Sequence, residues 1–300
     1  MLLPVSLIVA TRNRPLLLRD VVESVLDGDA VPAEIVIVDQ SDAPATPRIS
    51  SSDRGCAIRY LPSSERGLSR ARNLGAAAAR EDLLVFIDDD MRADRGWMTA
   101  LAAALVTSGE KDIATGRVLA GPEEVPGGFV PALAQRAIPS VYEGRLGKDV
   151  LAGGNMAVRR TFFEQVGRFD VRLGAGSRFP AGEDNDFGFR ALEAGGRVLF
   201  VPAAVLHHRA WRGAHHFLPL RYAYGHGKGG FYMKHLSVGD RHMLRRMFKD
   251  VMLRGIRAAR RVGHPRLAAG ELAYAAGIIH GAVGWMWAMR YPHAEPCGEM

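Results

Sequence analysis

Short apolar runs without alternation, separated by stretches of helical spacing, organise the first two thirds of the chain. Val5–Ala10 (VSLIVA), Glu34–Val38 (EIVIV), Ala57–Leu61 (AIRYL) and Leu83–Ile87 (LLVFI) each read as a strand. Unbroken runs of this length fit strands covered on both faces. Between them, Leu16–Leu18, Val21, Val22, Val25 and Leu26 recur at helical spacing, Gly67–Ala79 is an alanine-rich helix, and Trp97–Val106 is helical again. Repeated strand–helix–strand order predicts an α/β fold, an open and mostly parallel sheet with helices on both faces.

The pattern then loosens. Residues 120–149 are rich in Gly and Pro and read as a long surface excursion or an acceptor lid. Arg160–Ala194 reads as helix–loop–helix, and Arg197–His208 (RVLFVPAAVLHH) as a strand. From about residue 217 the chain turns helical. This suggests a catalytic domain over residues 1–215, with halves at 1–118 and 119–215, and a basic helical region over 216–300. In that region Leu244, Met247, Phe248, Val251, Met252, Gly255 and Ile256 form an apolar face. Arg241, Arg245, Arg246, Lys249, Arg254, Arg257, Arg260 and Arg261 surround it, and Asp250 is the one acid. Such a helix either lies on an anionic membrane surface or packs on the main domain with a solvated basic face. Leu272–Met289 is apolar and nearly long enough to span a bilayer, but its glycines and His280 favour a docking or interfacial helix.

Composition adds boundaries rather than direction. Of 300 residues, 48% are apolar and 24% charged, which is ordinary for a soluble globular protein. The two cysteines, Cys56 and Cys297, lie far apart in no metal or disulfide pattern, so a reducing cytosol is the expected compartment. The start, MLLPVSLIVATRNRP, reaches Arg12 and Arg14 too early for a membrane span and reads as a buried strand, not a leader. A net charge of +7 implies a mild attraction to phosphate or anionic lipid without choosing between them. Nucleic acid is not an expected partner.

The chemistry gathers where the strands end. In open α/β sheets, ligands bind at the carboxyl ends of the strands. The first strand ends in Thr11–Arg14 (TRNR), the second in Asp39, and the fourth in Asp88, Asp89 and Asp90. The segment ATRNRP has no glycine, which argues against a dinucleotide site. Three adjacent carboxylates need basic side chains or a divalent metal to neutralise them, and hard oxygen ligands suit Mg²⁺ or Mn²⁺. The simpler reading is a run of acids, with Asp94, capping the next helix.

Six blocks together carry a resemblance. VSLIVATRNRP, IVIVDQSD, ERGLSRARNLGAAAA, LLVFIDDDM, LAGGNMAVRR and AGEDNDFGFRALEAGGRVLFVPAAVLHH occur in order at suitable distances. Over roughly residues 3–210 the chain resembles an inverting family 2 glycosyltransferase with the GT-A fold. The resemblance implies that Thr11, Asn13 and Asp39 line the pocket for base and ribose. It implies that Arg72 either assists the nucleotide or braces its helix. Asp88 would approach the ribose or donor sugar, Asp90 would hold the metal, and Asp89 could substitute for either neighbour. Gly153–Met156, through Gly154 and Asn155, would approach the donor sugar. His207 would be a further metal ligand, with the adjacent His208 leaving that choice open. Asp184 would be the general base, with Glu183 as the fallback; both also fit an acidic first helical turn. Asp186 would bind acceptor or brace that turn. One departure is Gln40, which stands where a Asp or Asn is usual and bears on base or ribose recognition.

The implied reaction is a metal-assisted single displacement from a nucleotide-diphospho-sugar, UDP-linked first, GDP- or dTDP-linked as alternatives. The acceptor would be a saccharide, a lipid-linked molecule or a small molecule, and the setting cytoplasmic, at or near the inner membrane face. Three other readings compete: a nucleotidyltransferase, which would usually show a Gly- and Lys-rich phosphate loop after the first strand; a haloacid-dehalogenase-type phosphatase, whose acidic strand is normally the first; and a non-catalytic membrane-surface protein on a degenerate scaffold.

Overall fold

The computed structural model describes residues 1–43 and 54–290; Cys297 lies outside them. The chain forms two compact units, Met1–Val171 with Glu183–Ala214, and Arg172–Gly182 with the residues from His215 onward. Residues 172–182, expected in the catalytic half, therefore belong with the C-terminal helices.

The first unit runs β1 (Leu2–Thr11), α1 (Pro15–Leu26), β2 (Val31–Asp39), β3 (Ala57–Pro62), α2 (Leu68–Ala78), β4 (Leu83–Asp88), β5 (Met91–Ala93) and α3 (Trp97–Val106). It continues through β6 (Asp112–Ala120), β7 (Ser140–Glu143), β8 (Asn155–Arg159), α4 (Arg160–Val166), α5 (Glu183–Glu193) and β9 (Arg197–His208). Among the described residues the strands form one sheet in the order β3-β2-β1-β4-β8-β6-β9-β5, with β7 also paired to β9. A single sheet thus crosses the expected division at residue 118.

The sheet is mixed, not mostly parallel. β3, β2, β1 and β4 are mutually parallel, as the strand–helix alternation predicts. β8 then runs antiparallel to both β4 and β6, and β5 and β7 antiparallel to β9. Antiparallel neighbours need no crossover helix, so a Gly- and Pro-rich connection can lead from β6 back to β8. Two of these strands carry little apolar signal, because Thr115, Gly116 and Arg117 interrupt β6 and β8 is only five residues long.

Both sheet faces are buried, which explains the unbroken apolar runs. Leu7, Val9, Val85 and Ile87 share one core with Leu18, Val22, Trp97 and Leu101 of α1 and α3. The intervening Ile8, Leu84 and Phe86 face the other core, with Met156, Phe162, Phe163 and Phe187. Register then levels the strand ends: Ala10 pairs with Asp88, and Thr11 with Asp39.

The second unit contains α6 (Phe217–Ser237), α7 (Arg241–Arg260) and α8 (Pro265–Arg290). Glycines let α6 and α8 touch backbone to backbone. A Cβ on Gly225 or Gly229 would stand 2.1 Å from the Tyr274 or Ile278 carbonyl oxygen. A Cβ on Gly277 or Gly281 would meet the Tyr222 or His226 carbonyl at 2.3 or 2.0 Å. These spacings, GxxxG facing GxxxG, interlock the two helices and occupy one face of α8. By length and composition α8 could cross a membrane (mean hydropathy 1.2 over its most apolar window).

Candidate active site

Arg72, on α2, is the hinge of the first cluster. It is buried, and its guanidinium donates to Asp88 Oδ1 at 2.5 Å and to Glu183 Oε1 at 3.2 Å. Its plane lies 5.4 Å from the Phe169 ring centre. Burial opposes its charge, but Asp88, Glu183 and Asp184 more than compensate and raise its pKa. The two carboxylates come from distant sequence, the end of β4 and the first turn of α5. Burial pushes Glu183 up to about 7, with neighbouring Asp184 adding to the rise and Arg72 opposing it.

The Gly153–Gly154 pair makes this convergence sterically feasible. A Cβ on Gly154 would fall 2.1 Å from Asp88 Oδ2. A Cβ on Gly153 would lie 2.9 Å from an Arg72 guanidinium nitrogen and 3.0 Å from the Asp184 Cβ. The glycines therefore bring backbone against three charged side chains, as only a residue without a side chain can. Asp184 is half-buried and its Oδ1 accepts from the Asn185 amide at 2.8 Å. Asp186 is turned inward and paired with Arg190 at 2.8 Å.

A second cluster begins at the residue after Asp88. Asp89 is buried, accepting from Thr11 Oγ1 at 2.7 Å and from Arg14 at 3.0 Å. Burial pushes its pKa up to about 6; Arg14 and Thr11 pull against this, while Asp90 and Asp88 add to it. Arg14, half-exposed at the start of α1, also reaches Asp90 at 3.2 Å. Nothing in TRNR distinguished Arg14 from Arg12, yet Arg14 is the one that bridges the acids. Thr11 is correspondingly taken up by Asp89.

His208, not His207, stands beside Asp90. Its Nε2 is 3.3 Å from Asp90 Oδ1 and its Nδ1 is 3.0 Å from the Pro131 carbonyl oxygen. The exposed side of the same strand end carries His207, whose Nε2 meets Asp94 at 2.9 Å. Adjacent strand residues point to opposite faces, so the two cannot share a site. Burial opposes the His208 imidazolium, but Asp90 outweighs it and raises the pKa. Burial likewise opposes an ionised Asp90, but His208, Arg14 and Arg212 hold its pKa low.

Several of the expected residues already have partners within the protein. Asn155 is fully buried: its Oδ1 accepts from Trp97 Nε1 at 2.8 Å, and its Nδ2 donates to the Arg117 and Ala204 carbonyls at 2.9 and 3.2 Å. It ties α3 to three strands. Asn13, at φ 56°, exchanges hydrogen bonds with Asp42 at 2.8 and 3.0 Å. Asp39 is buried at the end of β2, accepting from the Ser41 amide at 2.8 Å, the Ser41 hydroxyl and the Tyr60 hydroxyl. The unusual Gln40 clamps the turn before α2: its Nε2 donates to the Glu65 and Gly67 carbonyls, and its Oε1 accepts from the Gly67 amide at 3.2 Å. Gly67 needs that support because its φ of 121° suits only glycine.

Among the described residues no three His, Cys, Asp or Glu side chains form a ready-made metal cluster. Asp90 and His208 nevertheless suit a divalent cation that completes its shell elsewhere. Donation from Nδ1–H to Pro131 would leave Nε2 to bind in place of a proton, the usual arrangement of a ligating histidine. An ionised carboxylate plus an imidazole is a donor set that Mn²⁺ accepts.

Comparisons with known proteins give the family and the fold. The model of the glycosyl transferase family 2 matches residues 6–167. A probable N-acetylgalactosaminyltransferase 6 of Caenorhabditis elegans is 29% identical over 182 residues, 54% of this chain and 29% of that protein. A pre-mycofactocin glycosyltransferase of Mycobacterium tuberculosis (H37Rv) is 29% identical over 222 residues, 68% of this chain and 42% of that one. The chain thus spans less than half the length of these relatives. Among solved structures, a mannosyltransferase from Pyrobaculum calidifontis in complex with GDP-Man and Mn²⁺ superposes with a TM-score of 0.63 at 17% identity, covering 95% of this chain and 87% of that one. GalNAc-T7 with UDP, GalNAc and Mn²⁺ gives 0.53 at 21% identity, covering 68% and 42%. At such identities the likeness is one of fold, the GT-A fold.

Proposed function

The chain belongs to glycosyl transferase family 2, and on that premise we propose that it moves a sugar from a nucleotide-diphosphate donor to an acceptor hydroxyl with inversion. The observation that carries this reading is the meeting of Asp88, Arg72, Glu183 and Asp184 around Gly153–Gly154, beside Asp90 and His208. Asp184, half-buried at the start of α5, takes the proton of the acceptor hydroxyl as that oxygen attacks the anomeric carbon. The nucleoside diphosphate leaves from the opposite face, so one displacement inverts the centre. Arg72 positions Asp88 toward the donor and keeps Glu183 turned inward, which leaves Asp184 as the base. The strand ends at Thr11 and Asp39, with Tyr60, border the pocket for base and ribose.

Asp90 and His208 would hold Mn²⁺ or Mg²⁺, which supplies positive charge to the departing diphosphate. The half-exposed Arg14 guanidinium adds fixed positive charge at the same place. Two solved structures of the same fold contain Mn²⁺ together with UDP or GDP-Man, which is compatible with divalent-metal use here. A UDP-sugar is the first donor to test, with GDP- and dTDP-sugars beside it. Saccharide, lipid-linked and small-molecule acceptors all fit the reading, and a cytoplasmic enzyme at the inner membrane face would meet the second kind.

A nucleotide-sugar panel with Mn²⁺ tests the class. Release of nucleoside diphosphate supports glycosyl transfer, and release of pyrophosphate would mean nucleotidyl transfer instead. Asp184→Asn should lower transfer by at least about 100-fold while donor binding survives. Near-wild-type turnover in that variant contradicts the role of Asp184.

A further inference from the structure

One helical face of the C-terminal unit turns apolar side chains outward. On α7 the buried positions are Met243, Arg246 and Ala258, with Asp250 and Arg254 partly buried beside them, and Tyr232 Oη donates to Asp250 at 3.1 Å. Arg254 is further held by Glu271, at 3.0 Å, and by the Tyr274 ring. The apolar side chains lie outside: Leu244 is 50% exposed, Phe248 66%, Met252 49% and Ile256 43%. These four follow one another at intervals of four, so they form one stripe along the helix. Arg241, Arg245, Lys249 and Arg260 are exposed on the same side. Within its own unit, therefore, this stripe does not pack against α6 or α8.

α8 repeats the feature. Its inner face is spent on the glycine interlock with α6, and its outer face carries Leu272, Ile279, Val283, Met286 and Trp287, all at least 44% exposed. Between Leu272 and Met289 the sequence has no Asp, Glu, Lys or Arg. Two neighbouring helices of one unit thus present apolar surface to the outside, one of them studded with cations.

We infer that this α7–α8 surface docks on an anionic lipid bilayer. Lipid accepts both halves of the pattern, Phe248 and Met252 entering the acyl boundary while Arg245 and Lys249 reach headgroup phosphates. Trp287 suits the same boundary. A second copy of the chain fits worse, because a two-fold contact through α7 would set its arginines against themselves. The helices lie on the bilayer and do not cross it: α8 is locked to α6, whose Arg221, Lys228 and Lys234 resist insertion. This inference does not depend on the transfer reaction.

Co-sedimentation of the full chain with vesicles tests it. The chain should pellet with phosphatidylcholine–phosphatidylglycerol vesicles and much less with phosphatidylcholine alone. Phe248→Glu with Met252→Glu should lower binding by about 10-fold or more at unchanged melting temperature, since both side chains are exposed. Arg245→Glu with Lys249→Glu should reduce binding to the anionic vesicles and flatten its salt dependence. The inference is overturned if the wild type stays in the supernatant with anionic vesicles, or if both folded variants pellet like it. It is also overturned if sedimentation velocity shows a dimer that Phe248→Glu dissolves.

Discussion

The acids at the strand ends sit in two corners that are neutralised by different means. In one, Asp88 and Glu183 share the buried guanidinium of Arg72, a charge that no accessible pH removes. In the other, Asp90 lies between the half-exposed Arg14 and His208, and only the histidine carries a proton that a cation can replace, at Nε2. A permanent cation makes a fixed scaffold, and a titratable one makes an exchangeable position. On the proposed function, the first corner would fix geometry and the second would be the place for a metal, although both descend from one run of three aspartates.

Removing the permanent cation should do the most damage. Arg72→Met keeps bulk over Phe169 but takes the partner from the buried Glu183 and the partly exposed Asp88, at a cost of about 3 kcal/mol, the low end for a broken buried pair. Thermal unfolding measures this, and Glu183→Gln added to Arg72→Met should recover part of the loss. An unchanged melting temperature in Arg72→Met would erase the distinction between the corners.

A smaller effect concerns pH. Burial raises Glu183 from 4.5 to about 7, so the folded state holds its proton where the unfolded state has lost it. Between those values the folded chain binds more protons, and this group's contribution to stability falls as pH rises. Below about pH 4.5 the side chain is protonated in both states and the penalty is absent. Glu183→Gln cannot ionise, so its melting temperature relative to wild type should climb from pH 5 to about pH 7 and then level off. A difference independent of pH would mean that Glu183 is not strained by its neighbours.

Much of the fold was legible because burial on both sheet faces writes itself as unbroken apolar runs. Val5–Ala10 and Leu83–Ile87 each feed two cores at once, and their register brings Thr11, Asp39 and Asp88 level. The antiparallel half was less legible, since β6 holds Thr115, Gly116 and Arg117 where an apolar run would have announced it. The burial of Asn155 was not legible in the segment GGNM, where nothing announces that its amide bonds Trp97, Arg117 and Ala204. Choosing between His207 and His208 needs the strand's facing, which two adjacent histidines do not disclose. The pattern on α7 disclosed an apolar face but not that Arg246 and Arg254, and not Phe248, are the residues turned inward.

The most direct measurement is calorimetric titration of UDP, with and without Mn²⁺, into wild type, His208→Ala and His207→Ala. If Asp90 and His208 hold the cation, His208→Ala loses about 10-fold or more of the Mn²⁺-dependent gain in affinity, while His207→Ala keeps it. An unchanged gain in His208→Ala, or its loss in His207→Ala alone, would contradict the account.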